Sequence, residues 1–341
     1  MPDRLQVAIV GAGYFSQYHY EGWSRHARAA IVAMANRDPD RRARTAGAYA
    51  VPHAFATIEA LLEAVRPDVL DIVTPPETHA AMVAAAAGAG VPVICQKPVA
   101  PTQEEAEAIV GAAEAAGIPF IIHENFRFQP WFQQARKLID DGRLGALHSI
   151  AFRMRPGDGQ GTRAYLDRQP YFQKMDRFLI HETGIHFVDT FRYLMGEVRA
   201  VTARLRRVNP VIAGEDAGYV VFEFDGGATG LFDGNRLNDH AADNCRMTMG
   251  EMFLEGAAGV LRLDGHGRLW FKPHGGAECE EIYAWEDRGF AGDCVYRQID
   301  HIASHLLDGT PVMNTGRDYL RNVAIEEAIY RSSSEGRLIE V

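Results

Sequence analysis

The sequence predicts two domains: an α/β domain with a doubly wound parallel sheet, then an α+β domain built on a large, mostly antiparallel sheet. Three observations predict this. The first third of the chain alternates short apolar runs with Ala- and Glu-rich stretches of helical spacing, as a parallel sheet covered on both faces requires. From about residue 147 the pattern changes to long alternating runs, punctuated as turns by Gly226-Gly227, Gly256 and Asp264-Gly265. A length of 341 residues also exceeds one ordinary domain.

In the first domain, strands are expected over 5–10, 31–35, 69–73, 91–95 and 120–122, with helical patterns over 57–65, 77–89 and 103–116 between them. Pro119 sits at the edge of the last strand, where its missing N–H does no harm. In the second domain, strands are expected over 198–208, 218–224, 229–236, 246–255, 260–263 and 269–272, with one helix over about 181–195 inserted before them. Amphipathic helices over roughly 293–308 and 316–334 close the chain. The expected division is 1–124 and 125–341, with the last helix able to pack back on the first domain. There is no internal repeat and no low-complexity linker.

Composition excludes several classes of function. Hydrophobic residues at 47% and charged residues at 23% are those of a globular protein with a full core. A net charge of −10 argues against nucleic acid, which needs a basic face. No apolar run approaches the roughly 20 residues that span a bilayer, so no membrane partner is expected. Cys95, Cys245, Cys279 and Cys294 lie far apart without a CxxC pair, and the N-terminus enters a strand without an apolar leader; a cytoplasmic location is expected.

The first turn carries a nucleotide signal. "VAIVGAGYFSQYH" places Gly11 and Gly13 directly after a strand and opens a helix. Gly11 permits the tight turn, and Gly13 lets the backbone approach a pyrophosphate at the helix N-terminus, with Tyr14 and the amides around Phe15 and Ser16 beside it. Ser16 stands where the third glycine of the usual fingerprint would be. The bland alternative is an ordinary glycine turn, and the strand–turn–helix context argues against it. The first domain is therefore expected to be an NAD(P)-binding Rossmann domain. The second strand ends in Asn36 and Arg37 rather than an acid. Asparagine can bind ribose hydroxyls without repelling a 2′-phosphate, and Arg37 can attract one or stack on adenine, so the residues alone leave NAD and NADP open. Arg41, Arg42 and Arg44 read as a solvated helix face.

With "GAGYFSQYH", "TPPETH" at 74–79, "QKPVA" at 96–100 and "HETGIHFVD" at 181–189, the sequence resembles the Gfo/Idh/MocA family, the glucose–fructose oxidoreductase and inositol dehydrogenase relatives. The resemblance covers nearly the whole chain. It implies a Rossmann domain joined to a C-terminal α/β domain on a largely antiparallel sheet, and nicotinamide-dependent oxidation or reduction of sugars and polyols. "HENFRFQPW", "GDGQG" and "GEDAGYVVFEFDGGATGLFDGNR" are similar to the branch that oxidises D-apiose, which implies NAD, with NADP use possible.

Carried over by that resemblance, Lys97 takes the catalytic position. Gln96 replaces a carboxylate that normally touches the nicotinamide ribose. Glu182 and His186 stand for an acid and a histidine, the acid one carbon longer. Thr74, Pro75 and His79 line the cofactor, and Pro76 departs from the family's asparagine. Chemistry explains the lysine. Oxidising an alcohol by hydride transfer leaves a proton on oxygen, and an amine in a dry pocket beside a cationic nicotinamide is favoured as its acceptor. Lys97 ends a strand, where ligands bind in open α/β sheets.

The stretch at 181–186 also invites a zinc reading, since HExxH carries two ligands on one helix face. Here the second histidine is five residues on, and at about 100° per residue an α-helix turns the two about 140° apart. Glu182 and His186, four apart, share a face, so no metal is expected. His181 either lines the pocket or caps the helix start. His123, Glu124, Asn125 and Arg127 follow the last Rossmann strand and can grip hydroxyls or a carboxylate; ordinary packing is the alternative for Phe126, Phe128, Trp131 and Phe132. Arg153 opens the glycine-rich loop 153–161, either a substrate loop or a surface connection.

The expected function is therefore an NAD(P)-dependent sugar dehydrogenase that takes hydride from the anomeric carbon of a cyclic aldose. Lys97 and His186 relay the proton, and Glu182 and His181 bind the sugar with Glu124, Asn125, Arg127 and Arg153. Another polyol or inositol dehydrogenase, a keto-sugar reductase, and a silent sugar or nucleotide sensor are the alternatives. The partner is a small sugar or polyol. A homodimer or homotetramer is expected, because a broad antiparallel sheet needs its second face covered.

Overall fold

The computed structural model describes residues 4–341. The chain divides into two compact units, 1–125 with 295–323, and 126–294 with 324–341.

In the first unit, β1 (Leu5–Val10), α1 (Ser16–Arg25), β2 (Ala29–Ala35), α2 (Pro39–Ala48), β3 (His53–Phe55), α3 (Ile58–Ala64), β4 (Val69–Ile72), α4 (His79–Ala89), β5 (Val93–Gln96), α5 (Gln103–Ala115) and β6 (Phe120–His123) alternate. The strands form a parallel sheet of order β3-β2-β1-β4-β5-β6. The order reverses between β1 and β4, which makes that the switch point where such sheets bind ligands. β4, β5 and β6 are buried at every position, as near-continuous apolar runs in a doubly covered sheet should be. The helix starts follow from their caps. Asp38 accepts from the amides of Asp40 and Arg41 ahead of Pro39 at the start of α2, and Thr102 Oγ1 accepts from Glu105 N ahead of α5. Each such cap is worth about 1 kcal/mol.

The second unit holds α6 (Pro130–Asp140), β7 (Leu147–Met154), α7 (Ile185–Met195), β8 (Val198–Arg206), β9 (Ala217–Phe224), β10 (Thr229–Asn235), β11 (Gly250–Gly256), β12 (Gly259–Leu263), β13 (Leu269–Pro273) and β14 (Cys279–Glu281). α8 (Cys294–Asp308), past its first residue, and the start of α9 (Gly316–Glu335) belong to the first unit, and the rest of α9 and β15 (Ile339–Glu340) to the second. The sheet order is β14-β13-β12-β11-β7-β10-β9-β8-β15, antiparallel except for the β7–β10 pair.

Register separates the two faces of this sheet. Met252, Phe152, Phe232, Val220 and Ala203 stand opposite one another across five strands, and all are buried. One residue along, Phe253, Ala151, Leu231 and Val221 form the matching row on the other face, where Phe253, Leu231 and Val221 are exposed. The buried row meets α7 through Phe187, whose ring centroid is 4.1 Å from that of Phe152 and 5.2 Å from that of Phe232.

The structure departs from expectation at the helix over 181–195. Residues Leu179–Gly184 form a π-helical turn, and α-helix begins only at Ile185. The amides of Phe178 and Ile180 are taken by the Glu215 carboxylate at 3.2 and 3.1 Å, and Leu179 N bonds the Glu215 carbonyl at 2.9 Å. A π turn bonds residue i to i+5. The α-helical rotation used to separate His181 from His186 therefore does not apply here, and their partners distinguish them instead.

Candidate active site

On the first unit, the polar groups collect at the carboxyl ends of β1, β4, β5 and β6. Gly11 has φ +117°, and a Cβ there would lie 2.2 Å from the Val73 carbonyl oxygen, so no other residue fits the turn. Tyr20 Oη donates to Gly11 O at 3.0 Å, and Ser16 Oγ to Gly13 O at 2.8 Å. Gly13 is exposed, with nothing within 4 Å of where a Cβ would stand. α1 begins without a side-chain cap and without an acid in its first turn. An open glycine beside uncapped helix amides fits a pyrophosphate, which brings the charge that the helix end favours. Tyr14 and Phe15, half-buried, flank this turn.

At the end of β2, Asn36 Nδ2 donates to Asp38 O at 3.1 Å and its carbonyl accepts from Arg42 at 2.7 Å, while Arg37 is exposed. Past β4, Thr78 Oγ1 donates to Pro75 O at 2.7 Å and lies 2.8 Å from Thr74 Oγ1. His79 is fully buried, its ring nitrogens 2.8 Å from Thr74 O and 3.0 Å from Val99 O. It ties the turn after β4 to the segment after β5, and burial lowers its pKa although the two carbonyls oppose this. Lys97 is the first residue past β5, half-buried, and joined to Pro98 by a cis peptide. Gln96 Oε1 accepts from Lys97 N at 2.8 Å. His123, Glu124 and Asn125 are buried, and Tyr319 Oη lies 3.4 Å from Glu124 Oε2.

On the second unit, His186 lies flat on Phe126, with centroids 3.8 Å apart and planes 3° from parallel. Glu182 Oε2 accepts from Arg236 Nη1 at 3.1 Å and from Thr183 Oγ1. Arg236 is fully enclosed. It forks onto Asp158 at 3.2 and 2.9 Å and faces the rings of Tyr165, Phe172 and Phe178 at 5.1, 5.6 and 4.7 Å. Burial opposes the guanidinium charge, but Asp158, Tyr165 and Glu182 outweigh it and raise the pKa. Burial likewise pushes the Asp158 carboxyl up, yet Arg236 and Arg168 hold it below the usual range. His181 Nδ1 is 2.6 Å from Glu326 Oε1, and its amide donates to Tyr330 Oη at 3.2 Å.

Two expected sugar-binding residues are corrected by their surroundings. Arg127 forks onto buried Asp189 at 2.7 and 2.6 Å, so that its paired donors are already engaged. Arg153 is on the exposed face of β7, opposite the buried Phe152 and Met154, with Glu251 3.9 Å away. Period-two alternation puts it on the wrong side of the sheet from α7. Asp158 and Arg236 were not expected. The signal lay in the acid inside "GDGQG" and the arginine ending "DGNR", but nothing in the sequence pairs them. Among the described residues no three His, Cys, Asp or Glu are placed to hold a metal, and no helix is long and apolar enough to cross a membrane.

A sheet of this order with a glycine turn at its switch point defines a dinucleotide-binding fold, with a lysine past the next strand over. The chain belongs to the Gfo/Idh/MocA family: residues 5–123 match the oxidoreductase family with an NAD-binding Rossmann fold, and residues 132–253 match the GFO/IDH/MocA C-terminal domain. It is 33% identical to the D-apiose dehydrogenase of Paraburkholderia graminis, over 99% of this chain and 90% of that one. It is 30% identical to the D-apiose dehydrogenase of Rhizobium rhizogenes, over 99% and 97%. An oxidoreductase from Agrobacterium radiobacter, solved in complex with NAD+, L-tartaric acid and magnesium, is 30% identical with a TM-score of 0.90, over 99% and 98%.

Proposed function

We propose that this chain is an NAD-dependent sugar dehydrogenase that oxidises the anomeric carbon of a cyclic aldose, D-apiose first, to a lactone. The observation that carries the reading is the place of Lys97, at the carboxyl end of β5 and one strand from the switch point. The D-apiose dehydrogenases matched over 99% of the chain support the substrate. Gly11, Gly13 and the start of α1 would hold NAD, which would supply the acceptor for the hydride that leaves the anomeric carbon. Lys97 takes the hydroxyl proton as the C–O bond becomes a carbonyl. His186 orients the sugar and relays that proton, its ring fixed on Phe126. Glu182, fixed by Arg236 and Thr183, accepts hydrogen bonds from sugar hydroxyls. His181, Glu124 and Asn125 complete the substrate contacts.

The reading is tested by following NADH formation with D-apiose, other pentoses, hexoses and inositols. D-apiose should be turned over fastest and yield a lactone; faster turnover of an inositol, or none of any aldose, would overturn it. A second copy of this chain is the proposed cover for the exposed row of Phe253, Leu231 and Val221, giving a homodimer or homotetramer.

A further inference from the structure

Asp71 is a carboxylate inside β4, a strand buried at every position. Such a group needs hydrogen bonds to offset its desolvation. Its Oδ2 accepts from Trp23 Nε1 at 2.8 Å and faces His19 Nδ1 at 2.8 Å. A carboxylate only accepts, so Nδ1 carries the proton, and a neutral imidazole then presents Nε2 as an acceptor. Gln96 Nε2 lies 3.1 Å from that nitrogen and can only donate. The same amide's Oε1 accepts from Lys97 N at 2.8 Å. From Asp71 to the backbone of Lys97, each link has one donor and one acceptor, and the order runs one way.

This run of hydrogen bonds is buried and packed. His19 and Asp71 are fully buried, and His123 of β6 lies against the same imidazole with centroids 4.1 Å apart. A glutamate at position 96 would have the same shape but could only accept. It would put an acceptor against His19 Nε2, and the contact would close only with an added proton between the carboxyl and the ring. The amide at 96 and the neutral, Nδ1-protonated His19 therefore require each other.

We infer that Asp71, His19 and Gln96 are positioning residues for Lys97: the fixed order of donors sets the Gln96 amide, which holds the peptide that carries the lysine. The inference rests on the proposed role of Lys97. None of the three needs to touch the reacting atoms for the lysine to be misplaced when the chain is broken.

The test compares wild type with Gln96→Glu, Gln96→Met, Asp71→Asn and Lys97→Met, reading imidazole 15N shifts, exchange of the Lys97 amide, and kinetics with NAD and D-apiose. Wild-type His19 should carry its ring proton on Nδ1, and in Gln96→Glu the Nε2 shift should move as an added proton is shared with the new carboxyl. In Gln96→Met and Asp71→Asn the Lys97 amide should exchange at least about tenfold faster. kcat should fall about 10–100-fold while KM for D-apiose stays within about threefold. A purely structural role would lower the yield of folded enzyme and leave these readouts unmoved. Should Asp71→Asn not fold, Gln96→Met carries the same expectation. The inference is overturned if wild-type His19 carries its proton on Nε2, or if the variants keep wild-type kcat while Lys97→Met is inactive. If Lys97→Met keeps its turnover, or wild type leaves D-apiose untouched, the catalytic reading has failed instead, and the nitrogen shifts and amide exchange alone decide the chain.

Discussion

The His186 imidazole lies on the Phe126 ring with centroids 3.8 Å apart and planes 3° from parallel, both side chains buried. Phe126 belongs to a 3-10 turn and His186 to α7, so the contact fixes the imidazole from a neighbouring element. A stacked pair contributes about 0.5–1.5 kcal/mol beyond burial. Phe126→Leu keeps most of the volume and removes the stack. It should lower kcat/KM for the sugar about tenfold, an energy near 1.4 kcal/mol, with NAD affinity unchanged. Steady-state kinetics with a separate NAD titration checks this, and an unchanged kcat/KM would detach the stack from function.

Asp158 links pH to stability. Its carboxyl is held below the usual range in the folded state, so the stabilisation is fully present above the unfolded value of about 3.9 and is lost as pH falls through the folded one. Asp158→Asn should therefore be less stable than wild type at neutral pH, by about 3–5 kcal/mol for breaking a buried pair, and the gap should narrow below about pH 4. Urea unfolding at a series of pH values measures it. A gap that stays constant through that range would contradict the pairing with Arg236.

Arg37 is exposed next to Asn36 at the end of β2. An arginine–phosphate contact is charge-assisted and stronger than a neutral one. The enzyme should prefer NAD modestly and use NADP measurably, and Arg37→Ala should weaken NADP more than NAD. A wild-type preference for NADP of about a hundredfold, near 2.7 kcal/mol, would show that position 36 does not set the choice.

Leu231 is 40% exposed in the middle of the apolar row, between Phe253 two strands away and Val221 on β9. Leu231→Asp should shift the protein to a smaller species in light scattering without loss of the fold. An unchanged mass would move the assembly surface elsewhere.

What could be read from sequence follows from how local each signal is. β1 and the Gly11–Gly13 turn are legible because a continuous apolar run and a glycine turn lie within a dozen residues. β3 is not legible: it has three residues, two of them exposed, and exists only by pairing with β2. The parallel β7–β10 pair is not legible because no local pattern states which distant strand will lie alongside. The π turn at Leu179–Gly184 depends on Glu215, some thirty residues on, taking its amides. Lys97 was legible as a lysine closing an apolar strand, whereas Asp71 reads as one polar residue in "VLDIV" until the fold brings His19 and Trp23 to it.

The central claim is that Lys97 takes the proton from the sugar hydroxyl, and Lys97→Met tests it most directly. General acid–base catalysis contributes about 10²–10⁴-fold, and lost positioning adds to that. With NAD affinity confirmed by titration, turnover of D-apiose by Lys97→Met should fall by about three orders of magnitude or more. Turnover within about tenfold of wild type would contradict the account, because general-base loss alone exceeds that.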